Sequence, residues 1–568
     1  MTDETSDQNE LPTWRRVRRY AVPAPMIARA TARRLAGDWR GACAAANVDV
    51  VFDAAKLADT YGAEAAARLA DELAGFAPDL LRWHLPRALG GRTSLATGEQ
   101  FALAPMVERV EAQLPRLVVL LPKTVDGSQR LRLDVRTAAR EELPGYLWDA
   151  REAHGLRAAW GGADRMPFLA ADGTPLAAAD LGVGTGAAAR AERAAALLAA
   201  GDVVGAWREA GIDLDPADAK GRWGVTMTVR SLPALNLAGL LPQARALAAR
   251  HNVTAVQVNF GWRIHVELDL SDDAEWPGAD EDRRSGPDGG GVVRARLTND
   301  RDTTAAELAE PLHRLPVDLE LLRHGLITVA DLHPLVRAAL VPGADAPQPD
   351  DEPEVPRFEP VAVRCRGAWH RVHNDAGRLQ VLDHTPEEVL REQMMRSLGG
   401  QTAGCFAAEQ AWRSGAGRLP RRLRAQRDDL MQRVLHGDTD GLLALLDRGM
   451  DPQVRDGRGF TLLHHLRCLD HERVLPRLLA AGLPVDARDH KGRTPLHVAV
   501  GWVGTSALVK ALLEAGADPK ADDADGVSPT LLLEYKGGDM FDDEDEDWFD
   551  GQQDLRLVKR YLEEAAER

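Results

Sequence analysis

The feature that most constrains this chain is a pattern near its C-terminal end that returns after 33 residues. Gly459, Thr461, Leu463 and His464 are answered by Gly492, Thr494, Leu496 and His497, and each copy runs into a Leu-rich segment closed by Gly482 or Gly516. A weaker copy opens with Gly526, Ser528 and Pro529. Thr494 is placed to cap a helix whose first turn holds Pro495, where a missing N–H costs nothing. Ala499 is small enough to let a neighbouring helix pair come close. Gly516 follows Leu512 and Leu513, where a residue in the left-handed region would end the second helix. A unit this short cannot bury its apolar face alone, so such units stack and their ends need capping.

A Thr-Pro-Leu-His start, a small-residue helix, a Leu-rich helix and Gly-Ala-Asp on this period resemble the ankyrin repeat. The resemblance covers 428–568 and implies an all-α, ankyrin-like solenoid of four units. The first unit, Asp428–Arg455, keeps only the second helix and the Gly449, Asp451 turn. The fourth starts at Asp523, lacks the His and Ala of its first helix, and is interrupted by Gly537–Gly551 before a second helix over Asp554–Glu567. By resemblance, Thr461, His464, Thr494, Pro495, His497, Gly482 and Gly516 are structural motif positions, the imidazoles bonding neighbouring turns. Partner-facing positions fall on the turn tips and first helices. They are Arg458, Phe460, Cys468 and Leu469 in the second unit, then His490, Lys491, Arg493, Gly501 and Trp502 in the third. In the fourth they are Asp525, Val527, Tyr535 and Lys536. Phe460, Trp502 and Tyr535 would form an aromatic stripe on the concave side, and aromatic and Arg side chains are the usual interface anchors.

The rest of the 568 residues predicts two or three further domains. Residues 1–29 read as a disordered, basic arm around Trp14–Tyr20, WRRVRRY. Ala36-Gly37-Asp38-x-x-Gly41-Ala42 returns as Ala200-Gly201-Asp202-x-x-Gly205-Ala206, and each copy ends in apolar-Asp-apolar, at Val48–Val50 and Ile212–Leu214. Strand-like segments follow both: Leu117–Leu121 and Leu131–Val135 around Asp126-Gly127, and Thr254–Leu270 around Gly261. Ala179-Asp180-Leu181 has its counterpart in Ala330-Asp331-Leu332. The expectation is an α+β half in which 30–185 and 190–342 are tandem copies of one module; a chance match in an Ala-rich sequence stays open. Ala138–Trp160 reads as helical. Pro- and acid-rich residues 343–358 read as a linker. Residues 359–427 read as a mostly helical connector, with strand character over Val361–Val372 and Arg418–Arg427 as the N-terminal cap of the repeats.

Charge narrows the partners. Of the net charge of −17, −12 falls in 428–568, which holds 29 acids and 17 bases. That balance argues against nucleic acid on the repeat surface. Only eight of the 70 basic residues are Lys, which points to coding bias in a GC-rich bacterium rather than to phosphate recognition. Four unpatterned cysteines suit a reducing cytoplasm, and no apolar run has membrane-spanning length. Cys365, His370, His373, His384 and Cys405 raise the question of zinc, but their spacing gives no ligand pair of two to five residues at both ends. No metal, cofactor or catalytic residue is therefore expected. Asp539–Asp550, which mixes acids with Met540, Phe541, Trp548 and Phe549, reads as a solvated loop or a docking segment for a basic partner. Together these features describe a cytoplasmic adaptor that binds another protein through the repeats. The alternatives are an enzyme with an unfamiliar active site in the α+β half, or a scaffold in a bacterial signalling or defence system.

Overall fold

The computed structural model describes residues 4–104, 114–137, 141–217, 219–220, 226–233, 235–260, 265–271, 293–298, 305–344, 356–399, 402–501, 505–539 and 549–567. The chain divides into two compact units, Met1–Leu121 with Leu131–Asp351, and Pro122–Arg130 with Glu352–Arg568. Gly261, most of the expected linker and the acidic run Met540–Trp548 lie outside the described residues.

The first unit is built on two five-stranded sheets. One contains β1 (Val48–Val50), β2 (Gln100–Ala104), β3 (Arg116–Leu120), β4 (Leu131–Arg136) and β5 (Glu141–Pro144), in the order β1-β4-β3-β2-β5. Its outer strands pair parallel, β1 with β4 and β5 with β2, while β2, β3 and β4 are antiparallel neighbours. After β6 (Ile212–Leu214) comes a separate two-stranded pair, β7 (Ala219–Lys220) and β8 (Thr226–Met227). Then β9 (Ala255–Asn259), β10 (His265–Asp269), β11 (Val293–Thr298) and β12 (Ala306–Leu308) complete a second sheet ordered β12-β9-β10-β11-β6. Here β6 is parallel to β11, β12 is parallel to β9, and the middle three are antiparallel. Strand for strand, β1 to β5 share neighbours and directions with β6, β9, β10, β11 and β12.

The approach to each sheet is built alike. Asp38 accepts from the Gly41 N–H at 2.8 Å and Asp202 from the Gly205 N–H at 2.9 Å, starting the helices Trp39–Ala45 and Val203–Glu209. A Cβ at Gly41 or Gly205 would collide with the capping carboxylate, so the spacing Asp-x-x-Gly is a packing requirement.

Two expectations fail in this unit. The N-terminal segment forms helices Glu4–Tyr20 and Ala24–Leu35 rather than a disordered arm. Trp14, Val17 and Tyr20 are buried, and Arg18 donates to Asp318 Oδ1 at 2.5 Å and to the Trp83 carbonyl at 2.6 Å. The Trp83 indole N–H donates to the other Asp318 oxygen at 2.8 Å, and the guanidinium lies 4.4 Å from a Trp83 ring centroid. The Arg-rich run is thus partly a core element. Of the expected helix Ala138–Trp160, residues 138–140 lie outside the described residues, and 141–160 is not one helix. Pro144 closes β5, and the chain continues in short turns that bury Tyr146, Leu147 and Trp148 before a single turn, Leu156–Ala159.

The second unit opens with an antiparallel meander of β13 (Val361–Cys365), β14 (Ala368–Asp375) and β15 (Arg378–Val381). Helices Pro386–Ser397 and Gly404–Ser414 follow. Four helix pairs come next, each packed on its neighbour: Arg421–Leu435 with Thr439–Asp447, the 3-10 segment Leu462–Cys468 with His471–Ala480, Pro495–Gly501 with Ser506–Glu514, and Pro529–Asp539 with Phe549–Ala566. Val558 and Leu562 of the last helix are buried. The boundary at Asp428 falls inside the first of these helices. Arg418–Arg427 is therefore no separate cap: Leu423 and Leu430 of one continuous helix both face the core.

The Arg18–Asp318 pair yields a direct prediction. Removing one partner of a buried pair leaves an uncompensated charge, at a cost of about 3–5 kcal/mol. Asp318→Ala should lower the unfolding free energy measured by denaturant titration by that amount, and the double change Arg18→Met, Asp318→Leu should recover most of it. A loss below about 1 kcal/mol for the single variant would show the N-terminal helix is not tied down this way.

Candidate functional site: the turn tips and inner helices of the repeats

The repeats are joined by three periodic devices. Asp456, Asp489 and Asp523 each fold a tip: one carboxylate oxygen accepts the backbone N–H groups two and four residues on, at 2.8 to 3.0 Å. Thr461 and Thr494 donate their backbone N–H to His464 Nδ1 and His497 Nδ1, both at 3.1 Å. With Nδ1 accepting, Nε2 carries the proton and donates across to the next repeat, from His464 to the Arg493 carbonyl at 3.0 Å and from His497 to the Val527 carbonyl at 2.9 Å. The third device is a guanidinium. Arg455 donates to the carbonyls of Gly459 (2.8 Å) and Arg488 (2.6 Å), and Arg488 in turn to those of Gly492 (2.9 Å) and Asp522 (2.5 Å). Gly482 and Gly516 end the second helices with φ of 83° and 93°. The motif histidines are thus structural, and burial pushes the His464 imidazole down to about 4.

The expected partner-facing residues separate into three groups. His490, Lys491, Asp525 and Tyr535 are exposed, Tyr535 by 61%, and Arg458 is exposed although ion-paired. Trp502 lies outside the described residues, as does the side chain of Lys536. The remaining positions are engaged within the protein. Phe460 is fully buried: it stacks on His464 at 5.1 Å and lies under the Arg493 guanidinium at 5.2 Å. An exposed stripe through Phe460 is thereby corrected. Its neighbours at the tip fold over the ring because Asp456 draws the Phe460 N–H inward at 2.9 Å. Arg493 is ion-paired with Asp489 at 2.7 Å, and Cys468 and Leu469 are buried.

Arg458 shows what sequence reasoning missed. Pro122–Arg130, the connection from β3 to β4, belongs to the second unit and lies against the second repeat. Arg467 Nε and Nη2 donate to the Asp126 carbonyl at 2.8 and 2.6 Å, Arg458 Nη2 meets the Asp126 carboxylate at 3.2 Å, and Cys468 Sγ lies 3.7 Å from the Gly127 carbonyl. The surface of this repeat is therefore already occupied by a turn of the same chain. The only signal in the sequence was an Asp-Gly turn, which does not say what it touches. Of the five residues weighed for zinc, the fold brings Cys365, His370, His384 and Cys405 together and leaves His373 outside the cluster.

Comparison with known proteins agrees with the helix-pair geometry. The ankyrin-repeat family profile matches residues 430–523 in three copies, so this part of the chain consists of ankyrin repeats. Human SH3 and multiple ankyrin repeat domains protein 2 is 34% identical over 113 residues, 20% of this chain and 6% of its own length. An ankyrin repeat-containing protein of Schizosaccharomyces pombe is 30% identical over 101 residues, 18% of this chain and 47% of its own length. The chain thus spans less than half of either relative, and both are eukaryotic.

The buried histidines make the repeats acid-sensitive. The unfolded chain takes up a proton near pH 6.5, while folded His464 accepts one only near 4. Stability is fully present above about pH 6.5 and falls as the pH drops toward 4, by about 3 kcal/mol at most for this group. Amide hydrogen exchange over Thr461–Leu466, corrected for intrinsic rates, should show protection falling across that window, and His464→Gln should flatten the response. Protection independent of pH in the wild-type chain would contradict the neutral imidazole.

Proposed function

We propose that this protein is a non-catalytic adaptor whose ankyrin repeats form a short solenoid and bind another protein through the third and fourth repeats. Ankyrin repeats imply protein–protein interaction. The observation that carries the narrower reading is the Asp126-Gly127 turn against Arg458 and Arg467. It occupies the second repeat and leaves His490, Lys491, Asp525 and Tyr535 as exposed members of the expected partner surface on the third and fourth. The same turn indicates the type of element the surface accepts: a tight turn offering a backbone carbonyl and one carboxylate to guanidinium donors. Among the described residues no helix is long and apolar enough to cross a membrane, and a cytoplasmic setting belongs to this proposal. We also infer that 30–185 and 190–342 arose by duplication of one module. The matching strand order and directions, and the matching Asp38 and Asp202 caps, support that reading.

A second reading has one observation in its favour. The first unit contains a cleft of about 760 Å³ lined by Trp14, Trp160, Phe168, Trp207, Arg230 and Arg323 among others. Its size suits a small molecule, and aromatic walls with guanidinium groups suit an amphipathic anion. On this reading the α+β half is a ligand-binding or catalytic module.

The adaptor reading is tested by quantitative affinity capture with the full chain as bait. Truncating an interface anchor costs about 2 kcal/mol, roughly a thirtyfold loss of affinity. Tyr535→Ala and Lys491→Glu should each reduce recovery of the captured protein while leaving the melting temperature unchanged. Capture unaffected by both, together with binding of an amphipathic anion to the full chain that is lost on Arg230→Ala in the cleft, would favour the second reading.

A further inference from the structure

We propose that Cys365, His370, His384 and Cys405 bind one structural zinc ion. The four residues come from four places in the second unit: the end of β13, the middle of β14, the turn before helix Pro386–Ser397, and the first turn of helix Gly404–Ser414. Their ligand atoms all lie within 4.8 Å of one another. Tetrahedral zinc, with Zn–S of about 2.3 Å and Zn–N of about 2.0–2.1 Å, places ligand atoms about 3.3–3.8 Å apart. The cluster therefore reaches coordination geometry through shifts of about an ångström or less.

Four features mark a built site rather than a chance gathering. The two imidazoles point at each other, with His370 Nδ1 2.8 Å from His384 Nε2. The far nitrogen of His384, Nδ1, lies 3.2 Å from Glu388 Oε2 one helical turn on. A carboxylate in that position holds the proton on Nδ1 and turns the Nε2 lone pair inward, the usual outer-shell arrangement of a metal-bound histidine. Gly404 has φ of +57°, and a Cβ there would come within 2.5 Å of Cys365 Sγ and 2.7 Å of its Cα. Glycine at 404 is what lets the second cysteine-bearing helix approach the first cysteine. The sulfurs are 2% and 0% exposed by residue, and the Phe406 ring closes the side beside His384 at 4.7 Å between centroids.

The donor set selects the metal and the role. Two thiolates and two imidazoles in a closed, four-protein-ligand shell suit zinc in a structural site, with no position left for water or substrate. Binding releases the two thiol protons to solvent, and each imidazole coordinates through its inward nitrogen, Nε2 of His384 and Nδ1 of His370, with Nδ1 of His384 facing Glu388. The ion would tie the β13–β14 hairpin to both following helices, where the local sheet has only three short strands.

The test uses the full chain, reduced, stripped with a chelator and then titrated with zinc or cobalt(II). One equivalent should bind, and cobalt should give the intense visible bands of a tetrahedral thiolate site. His384→Ala and Cys405→Ser should each lower affinity by tenfold or more, while His373→Ala, three residues from His370, should leave it unchanged. Because a ligand variant can fail to fold, the cobalt spectrum of the unaltered chain decides on its own. A folded chain that takes up no cobalt, or gives only the weak octahedral spectrum, would overturn the proposal.

Discussion

The repeat part of this protein depends on one hydrogen bond, donated by a buried histidine to the carbonyl of the next turn. His464 reaches Arg493 and His497 reaches Val527. Helix pairs of seven to ten residues hold little structure alone, because nucleating so short a helix is unfavourable. Apolar packing between neighbours supplies most of the stabilisation but does not fix their spacing. The imidazole does: its Nδ1 is held by the Thr N–H of its own turn, so its Nε2 proton can only point across. The Asp carboxylate that folds each tip and the guanidinium that bridges consecutive tips then fall into register. The His and Arg devices recur where the second, third and fourth pairs meet, because those interfaces present the same geometric problem.

That recurrence is why this part of the chain was legible. A residue whose job is set by a local, repeated geometry reappears at a near-fixed interval, so spacing marked Thr461, His464, Gly482 and their counterparts, and the resemblance to ankyrin repeats supplied their structural roles. The Gly-Asp-x-x-Gly turns of the α+β half were legible for the same reason, since Asp38 and Asp202 cap the helices that their glycines admit. Residues whose partners are remote were not legible. Arg18 resembles any other Arg in a basic run until Asp318, three hundred residues on, neutralises it. Phe460 occupies a variable, nominally exposed position, yet His464 and Arg493 from two repeats enclose it. Cys365 and Cys405 gave no ligand pattern because the strand and helix that carry them meet only in the fold.

The ends of a stack pose a separate problem, since each terminal pair exposes a face built to be covered. At the N-terminal end the cover is the β13–β15 sheet with helix Gly404–Ser414, and one apolar core runs from Val361 to Leu562. Trp412 donates its indole N–H to the Gly377 carbonyl at 3.1 Å, and Arg413 pairs with Asp451 at 2.6 Å. Gly377 packs directly on Leu430 and Met450, and Gly415 lies against the Asp456 carbonyl, so both turns need glycine to approach the first pair. A sheet of three short strands buries too little to hold such a cover rigidly unaided. A cross-link between its hairpin and the covering helix would act where that weakness lies.

The opposite end is arranged differently. The final helix packs on Ser506–Glu514 and buries Val558 and Leu562, while Tyr535 on the inner helix of the same pair stays open. At the second repeat the inner surface is closed by Pro122–Arg130, whose Asp126 carbonyl takes two donors from Arg467. Cover at the first pair, a self-supplied turn at the second and open tips at the third and fourth give the array a direction. A partner that entered at the second repeat would have to displace Asp126 from a guanidinium that also donates to the His464 carbonyl, leaving that donor unmatched unless an equivalent carbonyl replaced it. Binding at the exposed tips carries no such cost. The two surfaces therefore differ in what they demand: a close mimic of the Asp-Gly turn at one, and complementarity to Lys491, Asp525 and Tyr535 at the other.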